Sequence, residues 1–165
     1  MAGEMFLKLG DITGESKADG HVGEIEIMSW SWGATQSGST RSISGSTAGK
    51  VNVQDLTFTK LMDSASTNIK TSVCHGTSFP LATLICEKSA GNGKKPVQYL
   101  KIKMANAMVS SYSAGGSGGS DTHVETVTIN FSAIETTYTP MNADGTPGAG
   151  KPVAYNVVTG KPSFT

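Results

Sequence analysis

The chain has 165 residues, with 13 lysines and arginines against 13 aspartates and glutamates and a formal net charge of zero. That balance gives no long-range attraction for nucleic acid or an anionic membrane and no repulsion between packed copies, so charge points to protein partners. The length suits one domain, able to bury about two thirds of its unfolded surface without staples.

The first residues, MAGEMFLKLGDITGES, lack the basic and apolar regions of a secretory signal, and no stretch is long and apolar enough to span a bilayer as a helix. The expectation is a chain made and folded in the cytoplasm. There Cys74 and Cys86, too few for a disulfide framework, stay thiols and pack as small buried hydrophobes.

Threonine, serine, valine, isoleucine and glycine dominate, and most of the chain repeats with period two, which predicts a mainly β fold. Strands are expected over 5–9, 24–36, 52–60, 81–88, 97–110, 123–132 and 134–139, a density that suggests a closed or nearly closed barrel. In the first long strand the apolar set sits at Ile25 and Ile27 and then moves to Met28, Trp30 and Trp32, which calls for a bulge near Ile27. The 38–49 segment, polar and with Arg41 as its only charge, is read as a long loop whose composition fits a disordered flap as well as a functional binding loop. A second slip of phase separates Val51 and Val53 from Leu56 and Phe58.

One helix is expected from an Asp63 or Ser64 N-cap, with Ala65, Ile69 and Val73 on one stripe and Gly76 as its stop. About three turns long, it depends on docking that stripe against the sheet. Val127, Ile129 and Phe131 keep a single phase and mark a half-buried strand. Segments 90–95 and 113–120 read as loops. The 141–165 tail reads as a weakly ordered extension with one short strand near 154–158. The whole of 1–165 is taken as one domain.

The sequence offers little chemistry. Residues 145–152, GTPGAGKP, match a phosphate loop as far as Lys151, but Pro152 stands where a hydroxyl belongs, and no strand and helix flank the run. His21, His75 and His123 are scattered, so no metal site is expected; His75 suits the last turn of the helix. No nucleophile elbow is present. Glu24 and Glu26 are explained as polar positions of an amphipathic strand, and the sequon at Asn130 falls within a strand. No catalytic residue and no cofactor are predicted.

Five segments together, FLKLGDITGES, IEIMSWSWG, GKVNVQDLTFTKLMD, YLKIKMANAMVSSYSAGGSGGSD and ETVTINFSAIETTY, come in the order seen in the haemolysin-coregulated protein (Hcp) family, the inner-tube subunits of type VI secretion systems. The chain resembles that family over most of its length. The resemblance implies a two-sheet β-barrel with one flanking helix, a homohexameric ring and stacked rings inside a contractile sheath. It also implies a tip spike protein, effectors carried in the lumen, and release to the medium or a target cell without a cleaved signal peptide. It implies neither nucleic acid binding nor membrane insertion. The reading from a different class is a monomeric β-barrel ligand-binding module.

Strand alternation then assigns the parts. Trp30 and Trp32 are expected in the core with Phe58, Ile129 and Phe131, leaving Ser29, Ser31 and Gly33 on the opposite face, where they would line the lumen and meet cargo. The 38–49 loop, through Arg41, Ser42, Ile43 and Gly49, is expected to contact an adjacent subunit or ring.

Overall fold

The computed structural model describes residues 3–39, 47–91 and 93–165. Along the chain run β1 (Glu4–Leu9), β2 (Ile25–Glu26), β3 (Ser29–Ser31), β4 (Ala34–Ser39), β5 (Thr47–Val53), β6 (Leu56–Leu61), α1 (Ser66–His75), β7 (Ser78–Lys88), β8 (Val97–Gly115), β9 (Val124–Asn130), β10 (Ala133–Tyr138) and β11 (Lys151–Asn156). The main sheet has the order β2-β1-β7-β8-β9-β6-β3, and β10 lies between β8 and β11. Every pairing in it is antiparallel.

The barrel, expected closed or nearly closed, stops short of closure: the ladder ends at β2 on one side and β3 on the other. Those two ends are consecutive in the chain. Ile27 donates its N–H to the Met5 carbonyl at 3.0 Å, and the next residue, Met28, donates to the Thr59 carbonyl at 2.8 Å. Pairing therefore passes from β1 to β6 across one peptide bond, so the single strand expected over 24–36 is divided into β2, β3 and β4, and in place of the bulge expected near Ile27 there is a break at which the sheet curls round on itself. The second sheet is the β4–β5 ribbon alone, so the expected two-sheet barrel is one curled sheet with a two-stranded arm.

Alternation along each strand fills one core with Leu7, Leu9, Leu56, Phe58, Leu84, Ile102, Met104, Val127 and Ile129, and Phe131 lies at its margin. Trp30 packs against this core, as expected. Trp32 does not: it is 37% exposed. It follows the last ladder pair of β3, Ser31 with Thr57, so the chain has already left the sheet and its period no longer sets the inward side. Cys86 is buried as expected, whereas Cys74 is exposed on α1.

The helix is held at both ends. The N-cap position falls to Ala65, which has no side-chain oxygen to cap with, rather than to the expected Asp63 or Ser64; Asp63 instead shapes the turn before it, its Oδ1 accepting from the Ala65 N–H at 2.9 Å while Ser66 Oγ accepts from the Asp63 N–H at 2.9 Å. Ala65 and Ile69 are fully buried and Val73 packs on the core. Gly76 ends the helix at φ 65°, and a Cβ there would meet nothing within 4 Å. Gly76→Ala is therefore expected to cost only the left-handed backbone penalty, about 1–2 kcal/mol in an unfolding titration.

Three loop expectations are revised. The 38–49 segment is strand at both ends, with Gly38 opposite Ala48 and Ser39 opposite Thr47; Arg41, Ser42 and Ile43 lie outside the described residues. Gly49 belongs to β5, where a Cβ would sit 2.2 Å from the Ser37 carbonyl oxygen. Segment 113–120 begins as strand, since β8 runs on to Gly115. In the tail, β11 pairs with all of β10 from Tyr138–Lys151 to Ala133–Asn156. Lys151 thus opens a strand rather than the helix a phosphate loop needs.

Candidate functional site

Four strands each carry a hydroxyl–apolar–hydroxyl triplet: Ser29-Trp30-Ser31, Thr57-Phe58-Thr59, Ser111-Tyr112-Ser113 and Thr126-Val127-Thr128. The ladders bring them into register. Trp30, Phe58, Val127 and Tyr112 form one row on the core side. On the other face the hydroxyls form two rows across β3, β6, β9 and β8: Ser29, Thr59, Thr126, Ser113 and then Ser31, Thr57, Thr128, Ser111. Directly opposed side chains share a face and interact. Ser29 Oγ and Thr59 Oγ1 are 2.6 Å apart, and Thr57 Oγ1 and Thr128 Oγ1 are 3.1 Å apart.

The panel carries no charge within its two rows. Beyond one end, Asp55 accepts from Ser110 Oγ at 2.8 Å and Asn130 Nδ2 at 2.9 Å. At the other end the next row is apolar, Leu61 opposite Val124, 42% and 40% exposed, with Met28 and Met62 also half exposed nearby. Among the described residues, β3 pairs only with β6, and β8 beyond Val109 pairs only with β9. The panel is thus bounded by two open strand edges.

Ser29 and Ser31 lie on this face as the sequence suggested. Gly33 does not: it sits past β3 at the neck of the ribbon, where its carbonyl accepts from the Gln54 N–H at 2.9 Å. Thr57, Thr59, Ser111, Ser113, Thr126 and Thr128 were not singled out from the sequence. The signal was the repeated triplet, which only register makes into a surface.

Behind the panel lies a buried ionic cluster. Lys60 and Glu125 are a cross-strand pair on the inward side, both with 0% exposure, and Lys60 Nζ donates to Glu125 Oε2 at 2.8 Å and Asp63 Oδ1 at 2.7 Å. It also donates to the Leu61 carbonyl at 2.8 Å, while Ser66 Oγ donates to Glu125 at 2.9 Å and Tyr112 donates its O–H to the same carboxylate. Burial pushes the Glu125 carboxyl up, but the Lys60 ammonium and then the Tyr112 and Ser66 hydroxyls outweigh it and hold it below its ordinary value. Burial first, then the hydrogen bond to Glu125 and the charge of that carboxylate, push the Tyr112 phenol up to about 12. One cluster therefore ties β6, β8 and β9 to the start of α1 and stiffens the panel from behind.

Among the described residues no three His, Cys, Asp or Glu side chains are grouped to hold a metal ion, and no helix is long and apolar enough to cross a membrane. An open groove of about 740 Å³ lies on the outside of β1, β7 and β8, with Lys8, Lys101 and Lys103 above an apolar floor of Leu81 and Ile85.

Residues 6–138 match the family described as type VI secretion system effector, Hcp. The chain is 46% identical over 155 residues to Protein hcp1 of Pseudomonas aeruginosa, covering 94% of each. It is similar to a solved type six secretion system protein at 30% identity, TM-score 0.89, covering 97% of this chain and 99% of that one. It is likewise similar to Hcp1 from Salmonella typhimurium at 32% identity, TM-score 0.79, covering 98% and 99%.

Proposed function

The chain belongs to the Hcp family of type VI secretion system proteins, and from that membership we propose that it is a structural subunit of the secretion tube whose hydroxyl panel lines the lumen. The observation that carries the reading is the neutral panel itself, two rows of serine and threonine bounded by open edges. Six copies close into a ring and rings stack, with the sheath outside, the spike at the tip, effectors in the lumen and release from the cell at the end. Small hydroxyl side chains keep a bore wide and offer hydrogen bonds in either sense to varied cargo. Open edges are liabilities that neighbouring copies in a ring would cover. The exposed Met28, Leu61 and Met62 are of the kind that mark protein contacts.

The ligand-binding module reading fares worse, since the interior that a ligand would need is occupied by Leu56, Phe58, Ile102, Met104 and the Lys60–Glu125 pair.

The β4–β5 ribbon forms a sheet of its own and is assigned the contact with an adjacent subunit or ring. Replacing residues 38–49 by a tight Asn-Gly turn is expected to leave the melting temperature of the monomer within about 5 °C of the parent while reducing ring and tube formation. Stable tubes after that change, seen by electron microscopy, would refute the role of the ribbon.

A further inference from the structure

We propose that His21 is a proton-operated clamp that holds the 10–24 connection against the outer face of β1 and β7 and releases it as the pH rises. The inference rests on the fold alone and stands apart from the tube reading.

The connection between β1 and β2 folds on itself, with Gly14 N–H to Gly23 carbonyl at 2.7 Å and Gly23 N–H to Ser16 carbonyl at 2.8 Å. His21 is its tie to the sheet. The imidazole is 3% exposed and stacks on Phe6 with ring centroids 4.1 Å apart and planes 5° from parallel. Nδ1 lies 2.7 Å from Glu24 Oε2 and Nε2 lies 2.9 Å from Glu87 Oε1. An ionised carboxylate only accepts, and a neutral imidazole has one N–H to give. Both contacts are satisfied together by the imidazolium.

The surroundings favour that proton. On the same sheet face, Glu4 stands opposite Glu87, Glu26 on β2 stands opposite Phe6, and Lys8 follows on β1. Lys101 on β8 lies one strand further, opposite Ile85. Within the connection, the exposed Asp19 meets Lys95 at 3.3 Å, and Glu15 accepts from the Ser64 N–H at 3.2 Å. Burial lowers the His21 pKa, but its hydrogen bonds to Glu87 and Glu24 and the field of both carboxylates outweigh it, leaving it above 6.5. With the folded value raised, the contribution of the clamp is complete below 6.5 and is lost as the pH climbs through the folded value. Loss of the proton turns a ring lone pair toward a buried carboxylate, undoes the tie to β7 and uncovers Phe6.

The test follows the His21 ring nitrogens by long-range ¹H–¹⁵N correlation, and amide exchange corrected for its intrinsic base catalysis, in the unmodified chain from about pH 5.5 to about pH 9. At the acidic end both nitrogens should carry protons. Protection of the 10–24 amides should then fall about tenfold or more with the same midpoint, while β6 and β9 keep theirs. Glu87→Gln should move that midpoint down. A single neutral tautomer at about pH 6, or protection of 10–24 without a step in this range, overturns the clamp.

Discussion

Replacing Lys60 with methionine is expected to lower the unfolding free energy by about 3–5 kcal/mol, because it leaves a buried carboxylate without its counter-charge. Lys60 and Glu125 are both fully buried, so neither water nor salt substitutes for the lost partner. The second substitution, Glu125→Leu in the Lys60→Met background, should recover part of the loss, since a buried pair replaced by apolar groups of similar volume is often tolerated. Recovery stays incomplete because Tyr112, Asp63 and Ser66 also lose partners in the cluster. Urea midpoints of the three chains decide it; a loss below about 1 kcal/mol for Lys60→Met would show the pair to be solvated. The parent should also show the signature of a lowered carboxyl. The contribution of Glu125 is present above its unfolded value of 4.5 and disappears as the pH falls through the lower folded value.

Substituting tryptophan for Ser31 should cut cargo retention about tenfold, equivalent to about 1.4 kcal/mol of binding, and leave ring mass unchanged. Ser31 is exposed and faces away from the core, so the larger side chain is accommodated without repacking. It masks neighbouring hydroxyls and narrows the bore. Thr128→Trp, on the same row two strands away, should act alike. Phe58→Ala, one residue from Thr57 but on the core face at 1% exposure, should instead cost about 3–5 kcal/mol of stability. If Ser31→Trp breaks the ring while the dissociated subunits keep their cargo, the panel is a subunit contact and not a lumen wall.

Much of the fold could be read one strand at a time. Period two located most of the strand residues but ran β2, β3 and β4 together over 24–36 and the end of β5 into β6 over 52–60; the Ala65, Ile69, Val73 stripe found the buried side of the helix, and the slip of phase after Ile27 marked the place where pairing passes from β1 to β6, a break rather than the expected bulge. These are local signals, set within a few residues. What escaped depends on which strand lies opposite which. Lys60 shares its phase with Leu56 and Phe58 and could have been flagged as an inward charge, but its partner is 65 residues away. The hydroxyl triplets look like ordinary amphipathic strands until four of them align. Trp32 misled because it keeps the phase of Trp30 past the point where the strand ends. The outer part of the ribbon, within 38–49, looks like loop in the sequence because serine and glycine carry little strand propensity, and it is the β4–β5 pairing that makes its described residues extended.

Whether this chain builds a ring is decided by its native molar mass from light scattering after size-exclusion chromatography. A ring gives a species near six times the 17.1 kDa of the chain, stable on dilution. A single species at the mass of one chain, unchanged across concentration, would contradict it.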